Sequence, residues 1–281
     1  MQSLPLVVSL LVAFAATPAA LRELQRRGLE LENYRGVRIV FPAGLAVIAA
    51  SVLALGPLAF ADQVSGGDVW PATGAPLGIA GIVLYVVGVG ILGLIDDILG
   101  SGDARGWRGH ARATAGGSLS PGLLKAAGAA GLALFVLAGS GLDTPEYLLA
   151  AGVLVLATNF FNLLDLRPGR SLKVLVLLGV ALTLGTMDLD PLWALGLFVG
   201  PLLVLLPYDL RERGMLGDTG SNVAGAVAGL WLILSLGTTG QLVALAVIGT
   251  ATIYGEFRSI SRLIDRTPGL RHLDSLGRSH A

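Results

Sequence analysis

Two adjacent carboxylates, Asp96 and Asp97, stand at the end of an apolar run, in the sequence Leu-Ile-Asp-Asp-Ile-Leu. Acids within or beside such a run are energetically costly unless they have partners, and in a membrane segment they are functional by default. Successive residues of a helix point about 100° apart, so the two carboxylates need not share one role. They are candidate catalytic residues, and solvation of a helix end is the alternative interpretation.

A second polar set, Asn159, Asn162 and Asp165, repeats every three residues at the end of another apolar run. This spacing stacks the three side chains along one face of a helix. Amide and carboxylate oxygens on that face could bind a hard cation such as Mg²⁺, whereas amide-mediated helix packing is the alternative. Arg167 and Arg170 form a basic turn directly afterwards, and they are either topology determinants or phosphate contacts.

The third polar motif, Gly217-Asp-Thr-Gly-Ser-Asn222, begins an apolar run. Its glycines let the backbone approach a ligand closely. Thr219 or Ser221 can cap the helix, leaving free N–H groups and the positive end of the helix dipole facing an anion. Asp218 beside such an anion indicates a Mg²⁺–phosphate clamp, to which Arg213 adds a positive charge. An ordinary capped helix start is the alternative.

All 19 Lys and Arg residues lie in alternate gaps between the apolar runs. These gaps are 22–38, 105–125, 167–173, 211–213 and 258–278. Cytoplasmic loops retain Lys and Arg because translocating these residues is unfavourable. The side that carries the cations is therefore predicted to be cytoplasmic. Since this side also carries the three polar motifs, we expect an active site that faces the cytosol.

The elements that must position these residues are predicted to be helices, because about 20 apolar residues in a helix cross a hydrocarbon core of about 30 Å. Nine segments qualify, at roughly 4–20, 37–60, 75–95, 121–139, 146–164, 172–187, 190–207, 220–237 and 240–257. Several are short, which favours tilt or local thinning of the bilayer. No basic region precedes the first segment, so we expect an uncleaved span with the N-terminus outside. Nine crossings then place the C-terminus in the cytoplasm.

The sequence thus predicts an all-α, multi-pass protein of the cytoplasmic (inner) membrane, a bundle of about nine transmembrane helices in one domain over residues 1–281. Cytoplasmic loops are expected at about 21–36, 96–120, 165–171 and 208–218, with a cytoplasmic tail at 256–281.

The composition agrees with a membrane protein, since 54% of the residues are apolar and 14% are charged, against roughly 25% charged in soluble domains. A net charge of zero gives no indication of a nucleic-acid partner. The lack of cysteine excludes disulfides, thiolate metal sites and cysteine nucleophiles. Glycine is abundant, and small residues let membrane helices approach closely. Gly225 and Gly229 are predicted to serve such packing rather than chemistry.

The ordered set of motifs resembles the polyprenyl-phosphate N-acetylhexosamine-1-phosphate transferases, over nearly the whole chain from about Asn33 to Arg278. The run from Leu94 to Asp97 is similar to the family's aspartate pair. Residues 159–165 are similar to its Asn-rich helix end, and residues 217–221 to its metal-site motif.

By this resemblance the chain is expected to transfer N-acetylhexosamine 1-phosphate from a UDP-amino sugar to undecaprenyl (polyprenyl) phosphate, releasing UMP. Asp218 and Asn162 would hold Mg²⁺, or Mn²⁺ in its place, on the pyrophosphate. Asp96 and Asp97 would position or deprotonate the lipid phosphate, and Asp165 is a further catalytic carboxylate. Two anionic reactants repel each other, so a metal and basic side chains must neutralise charge while holding them in line.

The candidate substrate-binding residues, taken from the motifs and from the resemblance, lie around these carboxylates in the sequence or in the tail. They are Asn159, Lys125, Arg167, Arg170, Arg213, Met215, Gly217, Thr219, Ser221, Asn222, Arg271, His272 and Arg278. Met215 stands where the family commonly has an aromatic residue, and His272 stands alone near the place of a His-rich motif of the muramoyl-pentapeptide branch. The sequence therefore leaves open the sugar and the cell-wall or surface-polysaccharide pathway. It also leaves open whether the protein forms a homodimer.

Two other functions are alternatives. A transporter or flippase would show buried acids in mid-span or in inverted repeats, whereas these acids cluster at one face. A catalytically altered or inactive relative would be expected to lose Asp218 or the pair Asp96 and Asp97, and all three are present.

Overall fold

The computed structural model describes residues 1–71, 77–100 and 121–278, and in this part of the chain the fold is all-α apart from one short hairpin. Nine helices have 17 to 23 residues each. They are α1 (Leu4–Arg26), α2 (Gly44–Ser65), α3 (Ile79–Leu99), α4 (Pro121–Leu137), α5 (Thr144–Leu164), α6 (Arg170–Thr186), α7 (Asp190–Leu210), α8 (Gly217–Ser235) and α9 (Thr238–Phe257). Two short helices follow in the tail, α10 (Ile260–Arg266) and α11 (Pro268–Ser275).

Six of the described helices, α1, α2, α3, α5, α7 and α9, are long and apolar enough to cross a membrane. Large apolar side chains such as Phe14, Phe60 and Val247 stand exposed on their outer faces. Apolar surface of this extent is unfavourable in water and indicates a membrane-embedded protein.

The predicted count of nine spans is not confirmed, although each predicted segment contains one long helix. Helices α4 and α6 have 17 residues each, and α6 opens with Arg170 and Lys173. Helix α8 begins with the polar run Gly217 to Asn222, which lowers its apolar content. The predicted boundaries were also too short for α3, which continues to Leu99, so Asp96 and Asp97 lie in its last turn rather than beyond it.

Helix α8 is the central helix of the bundle, because it contacts α2, α3, α5, α6 and α7 and is buried along almost its whole length. Its small residues make this possible. A Cβ atom on Gly225 would lie 2.6 Å from the Cα of Thr158, and one on Gly229 would lie 3.1 Å from the Cα of Leu154. The prediction that these two glycines serve helix packing is confirmed.

The first turn of α8 is held between the start of α2 and the end of α3. A Cβ atom on Gly44 would collide with the backbone of Gly220, and one on Gly93 would collide with the backbone of Asp218. Since only glycine permits these approaches, the polar motif at the start of α8 lies against the acidic end of α3. This packing positions the candidate site.

A β-hairpin at residues 30–40 was not predicted. Strands β1 (Glu30–Glu32) and β2 (Arg38–Val40) pair antiparallel, with Glu30 opposite Val40. The second predicted span, 37–60, therefore began too early, since α2 starts at Gly44. The helix starts later than predicted because of Pro42, since the residue before a proline is disfavoured in a helix.

The hairpin is tied to the loop between α7 and α8. The Nδ2 atom of Asn33 donates to Glu212 at 2.8 Å, and Arg35 forms an ion pair with the same carboxylate at 3.2 Å. A backbone bridge joins Val40 to Gly214. These contacts anchor the chain directly before the polar motif at the start of α8.

Candidate active site at the polar end of the bundle

Four helix ends bring the predicted polar motifs together. Asp96 comes from the last turn of α3, Lys125 from the start of α4, Asn162 from the last turn of α5 and Asp218 from the first turn of α8. We call these four residues the Lys125 cluster. The sequence predicted each member separately, and the bundle places all of them within contact of Lys125.

The ammonium group of Lys125 bridges two acids from different helices. Its Nζ atom lies 2.8 Å from the Oδ2 of Asp96 and also forms an ion pair with the carboxylate of Asp218. All three side chains are largely but not fully buried. The site therefore combines opposite charges with a remaining opening to its surroundings.

The side-chain amide of Asn162 completes the cluster. In the orientation that satisfies both of its neighbours, its nitrogen donates to the Oδ1 of Asp218 at 2.8 Å and its oxygen accepts from the Nζ of Lys125 at 2.6 Å. Oxygens of Asp96, Asp218 and Asn162 thus converge on one cationic position.

Carboxylate and amide oxygens are the ligands that Mg²⁺ prefers, so the donor set around Lys125 fits a divalent cation in its chemistry. Two carboxylates and one amide oxygen point to a single centre that now holds an ammonium group. In residues 1–71, 77–100 and 121–278, no three Asp, Glu or His side chains by themselves form a metal-binding group.

Asp97 has a different role from its neighbour Asp96. Its Oδ1 accepts from the backbone N–H of Asp218 at 2.8 Å, and its Oδ2 accepts from the backbone N–H and the hydroxyl of Thr219 at 2.8 and 2.5 Å. The free N–H groups that the sequence offered to an anionic ligand are therefore bound by this carboxylate. Asp97 caps α8 from α3 and fixes the turn that carries Asp218.

Gly217 is required at the start of this turn for two reasons. Its φ angle is +71°, in the left-handed region that disfavours residues with a side chain. A Cβ atom there would also lie 2.9 Å from both the Oδ2 of Asp97 and the Cβ of Pro42. The predicted close approach at this glycine is therefore an approach to the protein's own carboxylate.

Asp165 follows the end of α5 and lies near the backbone N–H of Gly217. Burial raises the pKa of its carboxyl well above the ordinary range, and the negative charges of Asp209, Asp218 and Asp97 raise it further. Among the described residues, acidic groups thus outnumber cations around Lys125.

Asp209 was missed by sequence reasoning. It is buried in the last turn of α7, and its Oδ2 accepts from the backbone N–H of Gly169 at 2.9 Å. The bond fixes the turn after Asp165. An acid at the end of an apolar helix was the available signal, and it was obscured because its only charged neighbours in sequence, Arg211 to Arg213, suggested an ordinary loop.

Two candidate phosphate contacts, Arg170 and Arg278, form contacts that hold the tail. Arg170 donates to both carboxylate oxygens of Asp274, at 2.8 and 3.0 Å, and to the hydroxyl of Ser261 at 2.9 Å. Arg278 donates to Asp274 at 2.7 Å and to the carbonyl of Pro168 at 3.0 Å. We call Arg170, Asp274 and Arg278 the tail clamp.

Lys173 extends the tail clamp by donating to the carbonyls of Leu273 at 3.1 Å and Leu276 at 3.2 Å, at the C-terminal end of α11. Burial alone would raise the pKa of Asp274, but the hydrogen bonds and charges of Arg170 and Arg278 outweigh it and hold that pKa below its usual value. Sequence reasoning missed Asp274, although its spacing of four from Arg278 is that of a helical ion pair.

Other predicted substrate-binding residues are used in packing. The guanidinium group of Arg167 lies over the ring of Tyr34, 4.3 Å from its centre. The Nδ2 of Asn222 donates to the carbonyl of Val89 at 3.2 Å, which ties α8 to α3. Met215 pairs through its backbone with Val40 at 2.9 Å.

The remaining predicted residues differ in their surroundings. The hydroxyl of Ser221 lies within 3.3 Å of the Asn162 amide, at the edge of the Lys125 cluster. Four other predicted residues have exposed side chains and no described contact with the Lys125 cluster. They are Asn159, Arg213, Arg271 and His272.

The chain can be compared with protein-family models and with curated proteins. No protein-family model matches it, and no curated protein matches it at a significant level. The family resemblance of the motifs therefore stays a prediction.

Proposed function

We propose that the protein transfers a sugar 1-phosphate, of the N-acetylhexosamine type, from a UDP-sugar to a polyprenyl phosphate. The products are a lipid-linked sugar pyrophosphate and UMP, for cell-wall or surface-glycan synthesis. The observation that carries the proposal is the Lys125 cluster, in which oxygens from three helices surround one cationic position at the end of an apolar bundle. A water-soluble nucleotide and a membrane-held phosphate can meet at such a place.

The proposal includes the full topology. We infer that all nine long helices cross the cytoplasmic membrane, with the N-terminus outside and the C-terminus in the cytoplasm. At 1.5 Å per residue, 17 helical residues span about 26 Å, and local thinning of the bilayer can compensate for the difference. The gaps that carry Lys and Arg then share one side with the Lys125 cluster, as the positive-inside rule requires.

Within this proposal Asp218 and Asn162 would hold Mg²⁺, or Mn²⁺, with Asp96 as a further oxygen donor close by. When bound, the ion neutralises charge on the pyrophosphate and polarises its phosphorus. The donor set fits because its oxygens already surround a positive charge.

Lys125 is proposed to bind phosphate. An ammonium group on a flexible four-carbon stem can turn from Asp96 and Asp218 to a phosphate oxygen. An oxygen of the lipid phosphate attacks the sugar-bearing phosphorus of the UDP-sugar. The bond from that phosphorus to the bridging oxygen breaks, and UMP leaves with the bond's electron pair.

Asp97 is proposed to act as a positioning residue rather than as a base. The lipid phosphate is already mostly deprotonated near neutral pH, because its second pKa is about 6. Both oxygens of Asp97 accept hydrogen bonds from the first turn of α8. The carboxylate therefore holds Asp218 in place, and Asp165 supports the same turn through Gly217.

The test is an assay of the purified full-length protein with undecaprenyl phosphate, Mg²⁺ and a panel of UDP-sugars. We expect UMP release and a lipid-linked product only when both substrates and the divalent ion are present, with a preference for UDP-N-acetylhexosamines. Absence of product with every sugar, from monodisperse protein in nanodiscs, would contradict the proposal. Movement of a sugar nucleotide or lipid across proteoliposomes without UMP release would favour the transporter alternative.

A further inference from the structure

Three arginines meet in one cavity where α9 ends and α10 begins. The cavity has a volume of about 470 Å³. Arg258 lies between the two helices, while Arg262 and Arg266 are one turn apart on α10 and so share a face. Tyr254, Phe257 and Leu263 supply the larger apolar surfaces, and Gly255 and Ser259 complete the described lining.

The positive charge of this cavity is not neutralised by the described part of the chain. Among the side chains that the structure describes, no acid lines the cavity, and the three guanidinium groups make no ion pair or side-chain hydrogen bond with a described residue. Arg170 and Arg278 in the tail clamp, by contrast, are fully paired. Three neighbouring guanidinium groups suit an anion with several oxygens, because each can donate two parallel hydrogen bonds to phosphate.

The cavity is held in place by contacts behind it. Ser261 of α10 accepts from Arg170 at 2.9 Å, and the side chain of Ser259 accepts from the backbone of Arg262 at 3.3 Å. Ile260 is buried and packs against Gly255 of α9. A site that is already ordered binds its ligand at a lower entropic cost.

The apolar part of the lining indicates what the phosphate is attached to. Val247, Ile253 and Phe257 on α9 are 61 to 63% exposed, and this outer face of α9 leads directly to the cavity. A soluble phosphate would leave the apolar side chains uncovered, whereas a phospholipid would cover the arginines with its head group and the apolar side chains with its acyl chains. Basic pockets at the membrane surface bind anionic head groups in this manner.

We propose that this cavity binds the phosphate head group of an anionic membrane phospholipid, whose chains lie along α9. The lipid is bound rather than consumed, because no residue of the Lys125 cluster lines the cavity. The site would attach the start of the tail to the membrane surface, next to the tail clamp.

The test uses the full-length protein in nanodiscs of zwitterionic phosphatidylcholine, with increasing fractions of phosphatidylglycerol. We expect a saturable rise in thermal stability and a bound phosphatidylglycerol in native mass spectra. The triple variant R258Q/R262Q/R266Q should require at least tenfold more anionic lipid for the same effect. The triple lysine variant, which keeps the charge and loses the guanidinium fork, should lie between the two.

The matched control is R22Q/R26Q/R211Q, which removes three exposed arginines outside the cavity and should respond like the wild type. An equal loss in this control would show a general charge effect and overturn the proposal. The same stabilisation by inorganic phosphate alone would also overturn it, since the ligand would then be a soluble anion. If the triple glutamine variant does not fold, R266Q alone, with an expected threefold or larger weakening, decides the question.

Discussion

The Lys125 cluster and the tail clamp are both ionic networks between helix ends, and they differ in balance and burial. In the tail clamp, Asp274 is matched by two arginines, and the side chains of Arg170 and Asp274 are only 3% and 8% exposed. In the Lys125 cluster one lysine serves two acids, and the side chain of Asp218 is 29% exposed. Asp97 and Asp165 also lie nearby, and neither forms an ion pair with a described residue.

This difference separates a structural network from a candidate site. A buried group whose hydrogen bonds are all satisfied holds two elements together and offers nothing to a ligand. In our proposal, a partly open cluster whose described carboxylates outnumber its cations exchanges its ammonium group for another cation, or directs it to an anion. The same residue types thus serve structure in one place and, in our proposal, chemistry in the other.

The largest expected effect is on stability, from Asp274→Ala in the tail clamp. Removing this carboxylate leaves buried Arg170 without its partner, which should lower the free energy of unfolding by about 3–5 kcal/mol. Thermal unfolding of the purified protein in nanodiscs measures the change. The control Glu23→Ala breaks the exposed pair with Arg27 and should change little, because exposed ion pairs contribute little to stability. Equal losses of stability in Asp274→Ala and Glu23→Ala would show that the buried tail clamp contributes no more than an exposed ion pair.

The next effect is on activity, from Asp218→Asn in the Lys125 cluster. This change keeps the shape of the side chain and removes one charge next to Lys125, so transferase turnover should fall at least 100-fold, about 2.7 kcal/mol in the barrier. Thermal stability should stay near that of the wild type. The exposed Asp68 supplies the matched control Asp68→Asn, which should be fully active. Unchanged turnover and unchanged Mg²⁺ dependence in Asp218→Asn would refute the assignment.

Asp97→Asn should combine the two kinds of effect. The amide has one oxygen where the carboxylate accepts from three donors, and loss of a charged hydrogen bond costs about 2 kcal/mol of stability. Turnover should fall because the first turn of α8 moves, while the acidic limb of the pH–rate profile should stay where it is. Disappearance of that limb would instead identify Asp97 as a general base.

The smallest effect is the acid sensitivity of the tail clamp. The pKa of Asp274 is lower in the folded protein than in an unfolded chain, where it is about 3.9. The stabilising contribution of this carboxylate is therefore fully present above the unfolded-chain pKa. It is lost as the pH falls through the folded-state pKa. Thermal unfolding between about pH 5 and pH 2.5 should therefore show a steeper loss for the wild type than for Asp274→Asn. If the thermal stability of the wild type and of Asp274→Asn falls equally with pH, then Arg170 and Arg278 do not stabilise the charged form of Asp274.

The positions of the nine long helices and the grouping of the acids could be predicted from the sequence. Apolar runs of the required length form helices wherever they occur, because backbone hydrogen bonds must be satisfied within the segment. The alternation of charged gaps also placed Asp96, Lys125, Asn162 and Asp218 at one end. Helix formation and the end of the bundle at which a charge lies follow from the order of residues along the chain. Both can be predicted without knowing which helices are neighbours.

The partners of each charged residue were decided only by the tertiary structure. Asp96 and Asp97 are adjacent in sequence, yet one binds Lys125 and the other caps α8, because a helix turns them toward different neighbours. Arg170, which the sequence left as either a topology determinant or a phosphate contact, binds Asp274, 104 residues away. The hairpin at 30–40, the two tail helices and the role of Asp209 likewise depend on contacts between distant segments. Residue type and spacing limit the chemistry that is available, whereas packing determines which charges meet.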